Sequence, residues 1–480
     1  MGAARRLENF IGGVWVASGG PDYLDVPNPA TGELLARVPL STATDVDRAV
    51  AAAADALPPW REVPVVERAR LVLRLRELLI GRLDELARLV VSENGKSLSE
   101  AEGSIRRGIE TTEFAASAPT VLQGSVLENV ARGIDTELIR QPVGVVAGIT
   151  PFNFPVMIPL WMLPLALVCG NTFVLKPSER VPQSADLLVR LFAEAGFPAG
   201  TVNLVHGTRD AVHRLLTHPA VAAISFVGSA PTAEYVYRTG TGQGKRVQAL
   251  AGAKNHLVVM PDAELEPSVG AIVSSAFGQA GERCLAGSVV LAVEPVGDRL
   301  VAALADRVSR LSSASGDIEG GVGPLIRPDL RDRVLGYIER GVAEGATLAA
   351  RGRPSESGGY FVAPVLFDHV RPEMAIAREE IFGPVLAVIR VRDLGEAIDI
   401  ANRSRFGNAA AIFTRDGGAA REFRHRIEAG MLGINVGVPA PAAYFPFVGW
   451  KGSFFGDLHA TGRDAFEFYS RKKVVTSRWF

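Results

Sequence analysis

The chain has 480 residues, of which 48% are hydrophobic and 21% charged, with a formal net charge of -1. This composition is typical of a soluble globular enzyme with two or three domains, and it lacks the excess of Lys and Arg that nucleic-acid or membrane-surface binding requires. Only two cysteines are present, and Leu7 to Gly20 contains no continuous apolar run of the kind found in signal peptides. We therefore expect a cytoplasmic protein without structural disulfides.

The N-terminal quarter predicts short strands followed by helices. Thr42 and Asp45 indicate a helix start, and leucines spaced three and four apart between Val66 and Ser92 indicate one long amphipathic helix. The predicted elements are the strands Phe10–Val16 and Leu35–Val38 and the helices Val46–Ala56, Val66–Ser92 and Leu98–Ala118.

The next segment, Val121 to Arg140, alternates apolar and polar residues and predicts an exposed β-hairpin. After it the chain alternates strands with helices four times, which indicates a parallel sheet covered on both faces. The predicted strands are Gly144–Ile149, Thr172–Leu175, Thr201–Val205 and Ala223–Val227, and the helices start at Pro155, Gln183, Asp210 and Thr232.

A second α/β region is predicted from residue 250 to residue 440. It includes the strands His256–Val259 and Ser288–Val293 and the helix Pro267–Ala280. The tail, Phe466 to Trp479, is β-prone and similar in character to the predicted hairpin. We expect these two solvent-seeking segments to complete a sheet on another subunit.

The loop from Gly278 to Gly287 surrounds Cys284 with small residues, which let a substrate approach the thiol. Arg283 places a positive charge beside the sulfur and favours the nucleophilic thiolate. The alternative is a buried structural cysteine, the role that we assign to Cys169 at the end of an apolar run.

Asn153 lies between two aromatic and two proline residues directly after a predicted strand. Its side-chain N–H groups could stabilise an alkoxide that forms on a substrate carbonyl, although Asn is also a common turn residue.

Two further strand ends carry candidate ligand-binding residues. Lys176 and Glu179 follow one predicted strand, and Gly228 and Ser229 follow another and open a helix. The ends of parallel strands and the N-terminus of a helix are where open α/β sheets bind dinucleotides, so these residues favour a nucleotide site. A solvated ion pair and a structural turn are the alternatives.

Five motifs stand together in the order found in the aldehyde dehydrogenase superfamily, which the chain resembles from about Asn9 to Val475. They are Pro151–Pro155, Lys176–Glu179, Phe226–Ser229, Gly281–Cys284 and Glu379–Pro384. The resemblance implies an α/β fold in which residues 1–120 and 141–249 form a parallel-sheet NAD-binding domain and residues 250–440 a catalytic domain. Residues 121–140 and 460–480 would form an oligomerisation element of a homotetramer.

The resemblance also implies roles for individual residues. Cys284 would be the nucleophile and Asn153 part of the oxyanion hole. The residues implied around NAD are Phe152, Lys176, Glu179, Ser229, Glu380 and Phe382. The seven histidines show no metal-ligand spacing, so we expect no metal.

One departure from the family pattern concerns the fate of the acyl group. Acid-forming aldehyde dehydrogenases carry a Glu where this chain has Leu250, and leucine cannot activate water as a general base. Thiolates are stronger nucleophiles than water, so coenzyme A is the expected acceptor.

The surrounding sequence resembles the CoA-acylating methylmalonate-semialdehyde dehydrogenase branch, in which Arg107 and Arg283 match two arginines that bind the substrate carboxylate. The expected products are propionyl-CoA from methylmalonate semialdehyde and acetyl-CoA from malonate semialdehyde. An acid-forming NAD(P)-dependent enzyme and a non-catalytic scaffold protein are the alternatives.

Overall fold

The computed structural model describes residues 5–315 and 321–480. The strands are β1 (Arg5–Arg6), β2 (Asn9–Ile11), β3 (Val14–Val16), β4 (Tyr23–Pro27), β5 (Leu34–Pro39), β6 (Ser125–Ala131), β7 (Ile134–Pro142), β8 (Val145–Ile149), β9 (Thr172–Lys176), β10 (Val202–Leu204), β11 (Val221–Val227), β12 (Arg246–Leu250), β13 (Asn255–Val259), β14 (Gly287–Val293), β15 (Thr347–Arg351), β16 (Val365–Asp368), β17 (Val385–Val391), β18 (Phe406–Gly407), β19 (Ala409–Phe413), β20 (Met431–Ile434), β21 (Trp450–Lys451), β22 (Phe454–Phe455) and β23 (Ser470–Arg478).

The α-helices are α1 (Ala43–Glu62), α2 (Val65–Gly81), α3 (Leu83–Asn94), α4 (Leu98–Ala115), α5 (Ala118–Val121), α6 (Met157–Val168), α7 (Pro182–Glu194), α8 (Arg209–Thr217), α9 (Ala230–Gly242), α10 (Leu265–Phe277), α11 (Gly297–Arg310), α12 (Pro328–Ala343), α13 (Ala375–Arg378), α14 (Leu394–Asn402), α15 (Gly417–Arg426) and α16 (Gly462–Phe468). A short 3₁₀ helix covers Gly278–Gly281.

An eight-stranded sheet has the order β22-β12-β11-β8-β9-β10-β2-β3. Strands β8 to β12 run parallel within it, so their carboxyl ends meet at one edge, where ligands bind in sheets of this kind. Helix α6 packs beneath this sheet with every residue buried. No described helix combines the length and the apolar character needed to cross a membrane.

A second, seven-stranded sheet has the order β15-β16-β17-β14-β13-β19-β20. The chain passes from the first sheet to the second in the four residues Ala251 to Lys254, between β12 and β13. Strand β22 then returns to pair with β12. The α/β fold with parallel sheets that the sequence predicts is therefore confirmed, and the junction between the sheets is short.

The predicted hairpin and the tail form a third sheet, with the order β23-β7-β6. The tail pairs with β7 of the same chain over the nine residues Ser470 to Arg478, whereas we expected it to seek another subunit. The two strands meet within one chain because the tail follows α16 and its first residue, Ser470, pairs with Pro142 at the end of β7. It leaves β6 as an edge strand with all seven residues exposed.

Two predicted helices differ from the structure. The predicted helix Val66–Ser92 is divided into α2 and α3 at Arg82, directly after Gly81, a residue that disfavours helix interiors. The predicted helix Pro267–Ala280 ends at Phe277. Its continuation is replaced by a turn in which Gln279 and Ala280 both have a φ of 52°. This turn reverses the chain and presents Cys284 at the sheet edge.

Candidate active site

A cavity of about 820 Å³ runs along the carboxyl edge of the eight-stranded sheet. Eight of the ten residues singled out in the sequence line it. They are Phe152, Asn153, Lys176, Glu179, Ser229, Cys284, Glu380 and Phe382. The structure therefore brings residues that are up to 230 positions apart to one surface. Five of them end or follow strands of the eight-stranded sheet, whereas Cys284, Glu380 and Phe382 lie in loops that precede β14 and β17 of the seven-stranded sheet.

The backbone of Cys284 is held in place by hydrogen bonds from two asparagines. Its carbonyl oxygen accepts hydrogen bonds from Asn255 Nδ2 at 2.9 Å and from Asn408 Nδ2 at 2.8 Å. The other hydrogen of the Asn255 amide is used on Ala286 O, also at 2.9 Å. The sequence predicted no role for either asparagine, and nothing in the local sequence of Asn408 marks it as different from a loop residue.

The acidity of the thiol differs from our expectation. Burial, and to a lesser extent the nearby Glu380 carboxylate, raise the pKa of Cys284 to about 12. Arg283 acts in the predicted direction and lowers this pKa, but its effect is smaller than that of burial. In the protein alone burial therefore outweighs Arg283 and favours the protonated thiol, and the role of Arg283 in forming the nucleophilic thiolate stays a prediction.

Asn153 is 4% exposed and lies beside the Cys284 loop. Its Nδ2 donates to the backbone oxygen of Glu282 at 3.0 Å. A primary amide carries two N–H groups, so one remains for an oxygen in the cavity. The Asn153 Oδ1 atom is buried without a hydrogen-bond partner among the described residues.

Lys176 and Glu179 form an ion pair at the end of β9, with Nζ and Oε2 separated by 3.3 Å. Arg180 Nε lies 3.6 Å from the other oxygen of the same carboxylate. Ser229 precedes α9, and its hydroxyl is paired with that of Thr232 at 2.9 Å. The first N–H groups of α9 therefore stand at the cavity without side-chain capping, an arrangement that suits a pyrophosphate.

Glu380 and two phenylalanines line the cavity near Cys284. The Glu380 carboxylate accepts the Ala253 N–H at 2.8 Å, and a Cβ on Gly252 would lie only 2.5 Å from its other oxygen. The Gly252 position therefore admits only glycine while Glu380 holds this orientation. Phe152 and Phe382 meet edge to face, with ring centroids 6.0 Å apart.

The two arginines predicted to bind a carboxylate are not among the described residues that line the cavity. Arg107 donates from Nη2 to the carbonyl of Pro441. Arg283 donates from Nη2 to the carbonyls of Ser274 and Ser275, in the last turn of α10. These contacts give both residues a structural partner, and their role towards a substrate stays a prediction.

Four other arginines line the cavity and were missed in the sequence. They are Arg180, Arg209, Arg327 and Arg333. Arginines are frequent throughout this chain, so their number gave no signal. No cluster of three or more His, Cys, Asp or Glu residues suited to a metal ion occurs in the described parts of the chain.

Leu250 ends β12 and is 4% exposed. It belongs to the same apolar cluster that Cys284 packs against, together with Phe447 and Phe454. Position 250 therefore holds a fully apolar side chain at the end of β12, which supplies no proton acceptor.

A family model for aldehyde dehydrogenases matches residues 15–475. The chain belongs to the aldehyde dehydrogenase family. A malonate-semialdehyde dehydrogenase of Geobacillus thermodenitrificans is 55% identical, with 99% of each chain covered. The crystal structure of a methylmalonate-semialdehyde dehydrogenase from Oceanimonas doudoroffii superposes with a TM-score of 0.97 at 47% identity, covering 99% of this chain and 98% of that one.

A second solved structure resembles this chain along its whole length. It is a protein assigned as a methylmalonate-semialdehyde dehydrogenase, from Sinorhizobium meliloti and in complex with NAD. Its TM-score is 0.98 at 44% identity, with 100% of this chain and 99% of that chain covered.

Proposed function

We propose that this chain is an NAD-dependent, CoA-acylating dehydrogenase of malonate semialdehyde and methylmalonate semialdehyde. The reaction oxidises the aldehyde, releases CO₂ and gives acetyl-CoA or propionyl-CoA. Relatives that are 55% identical and carry the malonate-semialdehyde dehydrogenase name support the substrate class. The presence of Cys284 and Asn153 on one cavity supports the chemistry and disfavours a scaffold protein.

Leu250 is the observation that favours CoA over water as the acceptor of the acyl group. A general base beside a thioester typically contributes about 10² to 10⁴-fold to hydrolysis, and leucine contributes none. A thiol acceptor depends less on such a base, since its thiolate is a better nucleophile than water at neutral pH.

The side chains of this protein then act in a defined order. The Cys284 thiol releases its proton to solvent as its sulfur adds to the aldehyde carbon, and the free N–H of Asn153 stabilises the alkoxide that forms on the aldehyde oxygen. NAD, when bound, accepts the hydride that leaves this carbon. The product is a thioester on Cys284.

The carboxylate of the substrate now lies β to the thioester carbonyl. Loss of CO₂ moves the bonding electrons into a thioester enolate, which takes up a proton at carbon. The thiolate of CoA attacks the thioester carbonyl and releases Cys284. The carbon and oxygen atoms of the aldehyde are thereby accounted for in CO₂ and the acyl-CoA, and its aldehydic hydrogen in NADH.

The cavity fits a dinucleotide in size and in its polar groups. The exposed N–H groups at the start of α9 suit the pyrophosphate, and Lys176, Glu179 and Glu380 suit ribose hydroxyls. Phe152 and Phe382 would border the nicotinamide. A TM-score of 0.98 with an NAD complex supports this assignment.

For the whole molecule we propose the domain boundaries given above and a homotetramer. The exposed edge strand β6 supports an assembly surface on the third sheet. Both cysteines are free, which suits the reducing environment of the cytoplasm. Arg107 and Arg283 remain our proposed carboxylate ligands, a role that requires a change from their present contacts.

Measuring NADH formation from malonate semialdehyde with and without CoA, together with product masses, tests the proposal. We expect one NADH per subunit without CoA and steady turnover to acetyl-CoA with it. Steady formation of free malonate at an equal rate without CoA would instead support the acid-forming alternative.

A further inference from the structure

Asn153 is hydrogen-bonded to buried polar side chains that have no role in the proposed chemistry. Its backbone oxygen accepts two hydrogen bonds, one from Lys96 Nζ at 2.6 Å and one from Gln279 Nε2. Its side-chain Nδ2 donates to Glu282 O at 3.0 Å. Asn153 is thus fixed at both its peptide and its amide.

Lys96 is 2% exposed, although it carries an ammonium group. The ring of Phe154 lies 4.5 Å below this group, which stabilises the cation. Burial lowers the pKa of Lys96 to about 7, so the protein stabilises the charge less well than water does. A buried charge adds little to folding stability, and an apolar residue of similar volume would often fold as well.

The same segment also holds the Cys284 loop. Lys96 directly precedes the capping box of α4, in which Ser97 and Glu100 bond to each other's backbone. The second oxygen of Glu100 accepts the Gln279 N–H at 2.6 Å, at the first left-handed residue of the turn before Cys284. The α3–α4 junction therefore contacts both the Asn153 loop and the Cys284 loop.

We propose that Lys96 is a positioning residue that sets the Asn153 amide at the distance from the Cys284 sulfur that alkoxide stabilisation requires. The inference rests on the proposed function, since it presumes that Asn153 acts on the reacting oxygen. Because the contact is to the peptide oxygen of Asn153, Lys96 acts through Asn153 and does not touch the substrate.

Removing the ammonium should slow the acylation step without changing cofactor binding. Loss of one oxyanion donor typically costs about 10² to 10³-fold in rate, and a displacement of about 1 Å can cost 10²-fold. For Lys96→Met we expect a loss of about 10 to 100-fold in the single-turnover rate of NADH formation. The dissociation constant for NAD should stay within about twofold.

A double-mutant cycle distinguishes positioning from general stability. The variants are Lys96→Met, Asn153→Ala and the pair, each assayed for the single-turnover rate with propanal and with malonate semialdehyde. If Lys96 acts through Asn153, its replacement costs almost nothing once Asn153 is alanine. Losses that multiply in the double variant would overturn the proposal.

Lys245→Met is the matched control. Lys245 is also buried and donates to two backbone oxygens, His218 O at 2.6 Å and Val221 O at 2.7 Å, but is not among the described residues lining the cavity. It should lower the melting temperature and leave the single-turnover rate unchanged. An equal rate loss in both lysine variants would mean that any buried lysine has this effect, contrary to the proposal.

Gln279→Leu serves as a second variant if Lys96→Met fails to fold. It removes the other hydrogen-bond donor to the backbone oxygen of Asn153 and should show the same dependence on the Asn153 side chain.

The assay with propanal keeps this test independent of the proposed substrate. A wild-type protein that oxidises propanal but not the semialdehyde would refute the proposed function and still allow the cycle to be measured.

Discussion

At the scale of single residues, Cys284 and Leu250 determine the fate of the acyl group: Cys284 is the proposed nucleophile, and Leu250 stands where acid-forming relatives carry a general base. Burial raises the pKa of the Cys284 thiol to about 12. Leu250, at the end of β12, offers no proton acceptor to a water molecule. Leu250 therefore does not assist hydrolysis of an acyl group on Cys284, and activation of the thiol must come from the bound reactants.

Leu250→Glu should introduce hydrolysis. A carboxylate at the end of β12 could accept a proton from water, and general-base assistance of this kind contributes about 10² to 10⁴-fold. We expect free acid to form from propanal without CoA, at least about tenfold faster than in the wild type. The products are measured by mass spectrometry. Leu250→Gln, which is polar but not basic, is the control, and equal hydrolysis in both variants would contradict the argument.

The acidity of Cys284 gives a pH prediction for the protein without cofactor. Only the thiolate reacts with iodoacetamide, and below its pKa the thiolate fraction rises about tenfold per pH unit. Since the pKa of Cys284 is raised to about 12, the inactivation rate should increase continuously from pH 7 to pH 9. The Cys169→Ser variant removes the other thiol. A plateau below pH 8 would show that the thiol is more acidic than its burial implies.

At the scale of elements, the helix end at Phe277 and the turn after it decide where the thiol lies. Arg283 donates to the carbonyls of Ser274 and Ser275 in the last turn of α10, where the Ser274 carbonyl also accepts the Gly278 N–H. The residue that we predicted as a substrate ligand therefore also stabilises the helix that precedes the Cys284 loop. Arg107 contacts the carbonyl of Pro441 on a distant loop.

These contacts separate the two arginines experimentally. Arg107→Met should raise the KM for malonate semialdehyde about tenfold or more and leave propanal oxidation nearly unchanged, because only the semialdehyde has a carboxylate to bind. Arg283→Met should in addition lower the melting temperature and slow the oxidation of both aldehydes, because the last turn of α10 loses the two hydrogen bonds from Arg283. Steady-state kinetics with both aldehydes and thermal melts provide the measurement. Equal effects of Arg107→Met on both aldehydes would refute its role as a carboxylate ligand.

At the scale of the whole molecule, the third sheet is the part without a covering layer in the described structure. Val126 and Leu127 on β6 are 70% and 60% exposed, and Val474 on β23 is 62% exposed. Apolar side chains on an open sheet edge favour association with another copy of the chain.

Charges on this edge should break the assembly. We expect Val126→Glu combined with Leu127→Glu to dissociate the proposed tetramer into smaller species, because two carboxylates cannot be buried at the interface without partners. Light scattering after size-exclusion chromatography measures the mass. Leu348→Glu, at an exposed position on the edge strand β15 of the seven-stranded sheet, is the control. An unchanged mass in the double variant would exclude this sheet as the assembly surface.

The sequence by itself determined the order of strands and helices and identified eight of the residues that line the cavity. Strand and helix periodicity predicts the parallel sheet, and polar residues at strand ends, such as Asn153 and Lys176, converge because parallel strands end on one side. The long helix across Gly81 was wrong because a leucine stripe continues through a bend that a single glycine allows.

Only the tertiary structure decided which distant groups meet. Asn408 and Lys96 contact the Cys284 and Asn153 loops through folding, and no local pattern distinguishes them from other loop residues. The contacts of Arg107 and Arg283, and the pairing of the tail with β7, depend on how separate elements pack. The same holds for the raised pKa of Cys284, since burial is a property of the surroundings and outweighs the neighbouring arginine that the sequence shows.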